Sequence, residues 1–256
     1  MSASKQNPGQ GRRSHSLRGI RTLAVIPAFN EEQSLPSTLR ELRATAPSID
    51  LVVVDDGSSD STSRAAALGG ASSLRHPFNL GVGAAVRTGL RYAVEHDYRR
   101  VVVIDADGQH DAAGIERLLA ALDGGADVAV GSRFGDGSPD YEIGGLRRRG
   151  QRLLARVVHR LTHQPLTDVT SGFRAFDRKA LEFLAAEYPA EFLADTVEVL
   201  LKCHAAGLAI VEVPIAMRQR TGGKPSSRNV KLLVNYLRLL IGILSWRWRH
   251  SIRDTE

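Results

Sequence analysis

The segment Val101-Val-Val-Ile-Asp-Ala-Asp-Gly-Gln-His110 joins an apolar run to a dense group of oxygen-bearing side chains. The run Val101 to Ile104 reads as a buried strand, too short for a helix. Beyond it Asp105, Asp107 and Gln109 stand two residues apart, and packing asks for none of them. Two carboxylates and an amide at a strand tip are oxygen ligands for a hard divalent cation, Mg²⁺ or Mn²⁺, whose shell substrate phosphates would complete. The competing reading is an Asp-Gly turn with no ligand.

The pattern repeats along the chain. Asn30 and Glu31 follow an apolar strand at Thr22 to Ile26, and Asp55 and Asp56 end a strand at Ile49 to Val54. Arg133 follows a strand at Asp127 to Val130, and Asp168 precedes an alternating stretch after Gly172. A carboxylate such as Asp56 accepts two donors, which suits a ribose hydroxyl or a base nitrogen. The loop from Arg218 to Arg228, with Arg220 and Lys224, combines cations and glycines in a way that suits a pyrophosphate. In an open parallel sheet, ligands collect at the carboxyl ends of the strands. One sheet edge would therefore gather all of these groups.

The elements that must position them alternate. Strands at 22–26, 49–54, around Leu74, 101–104 and 127–130 are separated by helices. These are expected from Glu31 and Glu32 onward for about a dozen residues, through the Ala-rich 64–68, from Leu80 to about His96, and over 112–122. Pro27 is expected to end pairing of the first strand, and the Ser58 to Ser61 run to cap the second helix. The sequence Gly81-Val82-Gly83 invites a dinucleotide-binding reading, but Val86 occupies the place of its third glycine and the glycines do not follow the first strand. Small residues for close helix packing explain it more simply. This rhythm predicts a doubly wound, mostly parallel α/β sheet with flanking helices.

Residues 135–143 have loop composition and are expected to form a lid over the site. From Leu146 to Leu161 arginines alternate with apolar residues; Arg148, Arg152, Arg156 and Arg160 recur every four, as in a basic amphipathic helix with an anion-facing surface. Helices at 178–187 and about 192–206 come next, then an edge strand at Ala209 to Met217 interrupted by Pro214. The last stretch, 229–256, reads as an amphipathic helix in which Trp246 and Trp248 flank Arg247; a membrane-interface anchor and a helix packed on the core are the two readings.

The 256 residues carry a net charge of +6 that is unevenly placed. Residues 1–20 read as a disordered basic tail, residues 144–163 hold six arginines and no acid, and residues 217–256 are basic. The remaining body is acidic. Segregated charge favours a phosphate-rich ligand or an anionic membrane surface over nucleic acid. The single cysteine, Cys203, rules out an intrachain disulfide and fits a reducing cytoplasm. No uninterrupted apolar stretch reaches membrane-spanning length, and no secretory h-region is present at the N-terminus.

Together, Val25-Ile-Pro-Ala-Phe-Asn-Glu31, Val54-Asp-Asp-Gly-Ser58, Asn79-Leu-Gly81, Asp105-Ala-Asp-Gly-Gln-His110, Gly131-Ser-Arg133, Asp168-Val-Thr-Ser-Gly-Phe-Arg174 and the Arg220 loop resemble the family 2 glycosyltransferases of GT-A fold. The resemblance, over about residues 22–228 and in family order, is to the branch around dolichyl- and polyprenyl-phosphate sugar synthases. It implies a GT-A domain at 21–228. It also implies that Pro27, Phe29, Glu31, Val54 and Asp56 hold the nucleoside, and that Asp105, Ala106 and Asp107 contact the donor. Asp107 and Gln109, with Asp105, would hold Mg²⁺ or Mn²⁺; Arg133, Arg220 and Lys224 would face phosphates; Asp168 would lie near the reacting centre. The implied catalytic set is Asp168, Arg133 and Asp107.

The family usually has Tyr where Phe29 stands, and a Gly-x-Ser-Lys sequence where this chain has Gly223-Lys-Pro-Ser-Ser227. Many synthases also carry transmembrane helices. The implied activity is inverting transfer of a hexosyl group from a nucleoside-diphosphate sugar to a polyprenyl phosphate. It would take place at the inner face of the cell membrane, on a peripheral cytoplasmic protein with a small integral membrane protein as a further partner. A saccharide acceptor in cell-surface polysaccharide synthesis would instead need a base, from Asp168, Asp195 or Glu198. A non-catalytic nucleotide-binding scaffold is the reading of another class. A nucleotidyltransferase would need a Gly-rich phosphate loop after the first strand, and Pro27 to Glu31 is not one.

Overall fold

The computed structural model describes residues 20–134, 145–189 and 195–218. The expected strand–helix alternation is present: β1 (Thr22–Ala28), α1 (Leu35–Thr45), β2 (Asp50–Asp55), α2 (Thr62–Leu68), β3 (Ser72–Arg75), α3 (Val82–Glu95), β4 (Arg100–Val103), α4 (Gly114–Asp123) and β5 (Val128–Ser132). After these come α5 (Gly145–Thr162), β6 (Arg174–Phe176), α6 (Arg178–Glu187), α7 (Asp195–Ala205) and β7 (Ile210–Pro214). The expected tail, the 135–143 lid, Arg220, Lys224 and the C-terminal helix lie outside the described residues.

The strands form one seven-stranded sheet in the order β3-β2-β1-β4-β6-β5-β7. All neighbours are parallel except β6, which runs antiparallel to both β4 and β5. Strands buried on both faces explain the unbroken valine runs of β2 and β4. Alternate residues feed two cores. Leu23, Val25, Val52, Val54, Val101 and Val103 meet α3, α5, α6 and α7 on one face. Ala24, Ile26, Leu51, Val53, Val102 and Ile104 meet α1, α2 and α4 on the other.

Two expectations need correction. Pro27 does not end β1, because it pairs with Val54 and Ala28 pairs with Asp55. The Val25 carbonyl accepts from Ile104 N on the β4 side, and that of Ala28 accepts from Asp56 N on the β2 side. Successive residues alternate sides, so Pro27 turns its missing N–H toward β4, where the ladder has already finished at Val25 and Val103. Nor does α1 begin at Glu31. It begins at Leu35, with Pro36 in its first turn, because the preceding residues are claimed by the β2–α2 loop. Asn30 has a left-handed backbone (φ 56°), its N–H donates to Ser58 Oγ at 2.9 Å, and Glu31 N donates to Thr62 Oγ1 at 2.9 Å.

The Gly81-Val82-Gly83 turn opens α3 after β3, and the later Gly89 makes the close approach: a Cβ there would lie 2.3 Å from Val25 Cγ1. Gly89→Val therefore overpacks the α3–β1 interface and lowers stability by about 1–3 kcal/mol. Equilibrium denaturation checks this; an unchanged midpoint would mean the helix is not seated on Val25.

Candidate active site

The order β2-β1-β4 makes the β1–β4 boundary the switch point of the sheet, and crevices for ligands open there beyond the strand ends. On one side of it, the loops after β1 and β2 are laced together. Ser59 N and Oγ approach Asn30 Oδ1 at 2.9 and 3.3 Å, Glu32 N donates to Asp60 at 3.1 Å, and Ser61 N donates to Glu32 at 3.0 Å. Within the Ser58 to Ser61 run the N-cap Ser61 makes no side-chain cap bond, and Asp60 just before it accepts from Thr62 N at 3.0 Å. Pro27 is buried beneath this lacing while Phe29 stands out from it, 46% exposed. The Glu31 carboxylate accepts from Ser34 Oγ. Val54 and Ala106 put their side chains into the two cores, so only their backbones border the crevice.

Asp55 and Asp56 divide their work. Asp55 accepts from Ser58 N at 2.8 Å and from Ser63 Oγ. Burial raises its pKa, but these hydrogen bonds and nearby Arg75 outweigh it and hold the carboxyl below its ordinary value. Asp56 accepts from Leu80 N at 2.9 Å and Gly81 N at 2.8 Å and pairs with His76 Nδ1 at 2.7 Å. His76 in turn reaches Thr88 Oγ1 at 2.9 Å through Nε2. The carboxylate expected to meet a nucleoside thus also fixes the entry to α3. Gly57 allows the approach: it has φ 75°, and a Cβ would sit 2.5 Å from the Phe78 carbonyl carbon.

At the tip of β4, Asp105, Asp107 and Gln109 are all partly exposed on one turn, and Gln109 N donates to Asp107 Oδ1 at 3.0 Å. His110, by sequence only a lead-in to the next helix, lies beneath them. Its Nε2 meets Asp105 Oδ2 at 3.0 Å and its ring packs on Phe173 with centroids 4.9 Å apart. Burial pushes the imidazole down to about 4, so it is neutral, and its Nε2–H donates a hydrogen bond to Asp105. The Asp-x-Asp-x-x-His spacing was the available signal. Arg218, the first residue of the basic loop, pairs with Glu41 at 2.7 Å and Asp111 at 3.2 Å. Its N–H donates to the Gln109 carbonyl at 2.9 Å, which starts the 218–228 stretch beside the acidic turn.

The third side of the crevice comes from β6. Because β6 runs antiparallel, the residues before it arrive where β4 and β5 end. A Cβ on Gly172 would lie 3.4 Å from Asp105 Oδ1. Asp168 accepts from Arg133 Nε at 2.5 Å and from Arg133 Nη2 at 2.6 Å, one bond to each oxygen. Thr170 Oγ1 takes a further bond from Arg133 Nη2 at 2.8 Å and one from Gln151 of α5 at 3.3 Å. The side chains of Asp168 and Arg133 are 1% and 8% exposed. Arg174, also missed, is buried under this loop, donating to the carbonyls of Ser171 at 2.9 Å and Val169 at 3.3 Å. Glu198 lies within α7 and pairs with Lys202 at 3.4 Å; the Asp195 side chain is outside the described set.

A divalent cation fits the donor set. Among the described residues, no group of three or more His, Cys, Asp or Glu side chains is placed to hold a metal ion by itself. Two carboxylates and an amide on an open turn are instead the partial shell that Mg²⁺ or Mn²⁺ uses when phosphates supply the rest.

Two outcomes test this arrangement. Asp168→Ala strips the buried Arg133 guanidinium of its two-point carboxylate partner and costs about 3–5 kcal/mol, part of which Arg133→Met on the same chain recovers; additive losses in denaturation would mean the pair is not coupled. Asp55→Asn removes a carboxylate whose pKa is lower folded than unfolded. That stability is present above the unfolded value near 3.8 and is lost as pH falls through the folded value. The deficit of the variant should be about 1–2 kcal/mol at neutral pH and shrink as pH falls below the unfolded value; a deficit constant with pH would contradict it.

The chain matches the family model described as Glycosyl transferase family 2 over residues 23–184. It is 31% identical over 223 residues to the polyprenol monophosphomannose synthase of Mycolicibacterium smegmatis, covering 82% of this chain and 83% of that protein. It is 33% identical over 214 residues to the undecaprenyl-phosphate mannosyltransferase of Micrococcus luteus, covering 80% and 86%. Among solved structures, glucosyl-3-phosphoglycerate synthase from Mycobacterium tuberculosis, in complex with Mn²⁺, UDP and glucosyl-3-phosphoglycerate, superposes with a TM-score of 0.68. The match covers 89% of this chain and 80% of that one at 22% identity, a likeness of fold. A strand-end crevice built from the Asp105, Arg133 and Asp168 segments, on this sheet and with these relatives, identifies the chain as a GT-A-fold glycosyltransferase of family 2, in the branch around the polyprenyl-phosphate sugar synthases.

Proposed function

We propose that the enzyme moves a hexosyl group, with inversion, from a nucleoside-diphosphate sugar to a polyprenyl phosphate. The bond from the anomeric carbon to the diphosphate oxygen breaks, and a bond from that carbon to an acceptor phosphate oxygen forms. The nucleoside diphosphate leaves with the electron pair. The laced β1 and β2 loops, with Pro27, Phe29, Glu31 and Asp56, would hold the nucleoside. Asp107 and Gln109, with Asp105, would hold Mg²⁺ or Mn²⁺, which offsets the charge developing on the leaving diphosphate. Arg133 would meet an anion, held in direction by Asp168 and Thr170. Arg220 and Lys224 would add positive charge from the 218–228 stretch.

One observation carries the choice of acceptor. Both oxygens of Asp168 accept from Arg133, so the carboxylate expected near the reacting centre orients a cation and is poorly placed to take a proton. A sugar hydroxyl needs such a base. A phosphate acceptor is already an anion and needs orientation more than deprotonation. The names of the two relatives point the same way. A lipid acceptor would place the enzyme at the inner face of the cell membrane, as a peripheral protein with a small integral membrane protein as a further partner. Among the described residues no helix is long and apolar enough to cross a membrane.

Nucleotide sugars assayed with and without Mn²⁺ and a polyprenyl phosphate test the reading. Metal-dependent transfer to the lipid is expected, and Asp107→Ala should lower it by about a hundredfold or more. Transfer to saccharides and none to lipid would overturn the acceptor, and undiminished metal-dependent transfer by the variant would remove Asp107 from the metal site.

A further inference from the structure

Helix α5 has two faces of opposite character. Gln151, Leu154, Val158 and Thr162 are buried, and Leu154 and Val158 belong to the core beneath the sheet. On the reverse side Arg149, Arg152, Arg156 and Arg160 are exposed, three and four residues apart, as one ridge. An arginine ridge on a surface helix is ordinarily balanced by acids one turn away. Here the described part of α5 contains none, and none of these four arginines has an ion-pair partner among the described residues. Leu153 stands among them with 51% of its surface exposed. An exposed leucine within unpaired guanidinium groups matches a headgroup layer: cations for the phosphates and an apolar side chain for the acyl boundary.

We propose that this ridge is the surface by which the enzyme docks on an anionic lipid bilayer, an inference that rests on the lipid-phosphate reading of the acceptor. The inward face supports the placement. Gln151, on the turn that carries Arg152, donates to Thr170 Oγ1, the same oxygen that Arg133 Nη2 reaches at 2.8 Å. One hydrogen-bonded step therefore separates the docking helix from the Arg133–Asp168 pair. A bilayer against the ridge lies alongside the acceptor side of the crevice, where a prenyl chain can stay in the membrane while its phosphate enters. The nucleoside side, built on β1, β2 and β3, belongs to the other half of the sheet.

The test uses the full chain and sedimentation with phosphatidylcholine vesicles, with and without phosphatidylglycerol. Binding to the anionic vesicles that weakens with salt is expected. The triple variant R152Q/R156Q/R160Q should lose roughly fivefold per arginine, on the order of a hundredfold in all, with an unchanged thermal midpoint because all three are solvent-facing. With a short-chain, water-soluble prenyl phosphate the variant should transfer at the rate of the parent. Full vesicle binding by the variant would assign docking to other basic segments and overturn the proposal. So would equal binding to neutral vesicles, or capture of duplex DNA with no vesicle binding. A variant inactive on the soluble acceptor would place the ridge in the reaction machinery and overturn it as well. A parent that binds anionic vesicles through the ridge but transfers to no prenyl phosphate would uphold the docking surface while the acceptor reading falls.

Discussion

Three residues, Arg174 to Phe176, run against the direction of both strands beside them, and the site depends on that reversal. A parallel strand brings to the ligand edge only the residues on its C-terminal side. An antiparallel insert brings the residues on its N-terminal side, so the Asp168 to Gly172 loop reaches the tips of β4 and β5 without a long excursion. The insertion also holds β4 and β5 one strand apart. At the tips of those two strands the loop sets a carboxylate against Arg133 and a glycine beside Asp105. A Cβ at Gly172 would lie in van der Waals contact with the Asp105 carboxylate.

The crevice has two walls of different construction. The wall on β1 and β2 is a mesh of short polar bonds between two neighbouring loops, in which Asn30, Ser58, Asp60 and Thr62 satisfy one another's backbone groups. A mesh of this kind fixes backbone position and leaves Phe29 free to present its ring. The wall on β5 and β6 rests on fewer, stronger contacts: a two-point guanidinium–carboxylate pair, a buried imidazole under the acidic turn, and the Arg174 clamp on two carbonyls. Walls held by such bonds on both sides suit a reaction in which orientation and electrostatics carry most of the catalytic burden.

Much of this was legible in the sequence. Valine runs ending in acids announced the parallel strands and their functional edge, and the alternation of helices was recovered in order. Asp105, Asp107, Gln109, Arg133 and Asp168 were each visible as polar residues that packing does not require, and the fold brings their segments to one edge. What stayed hidden was pairing. A local reading treats Pro27 as a strand breaker, because it cannot know that β4 has already ended on that side. It takes Glu31 as a helix start, because the claim of Thr62 on its N–H comes from 31 residues away. His76 and Arg174 carry no local signal of their partners, and neither does Arg218, whose partners Glu41 and Asp111 are far from it in the chain. The direction of β6 is a property of the sheet and leaves no mark on three residues.

Arg174 has a consequence of its own. Its guanidinium is 1% exposed and bonds to carbonyl oxygens, with no carboxylate partner among the described residues and Nη1 without a hydrogen bond. Its positive charge is therefore neither neutralised by a neighbour nor reached by counterions. Surface arginines lose their influence as ionic strength rises, since mobile ions gather around them. A cation enclosed in protein keeps its field, and that field passes through a medium that weakens it less than water does. The loop carrying Asp168 thus lies over a permanent positive potential. For any anion held at this edge, the contribution of Arg174 would be set by the interior of the protein and would be insensitive to the salt outside it.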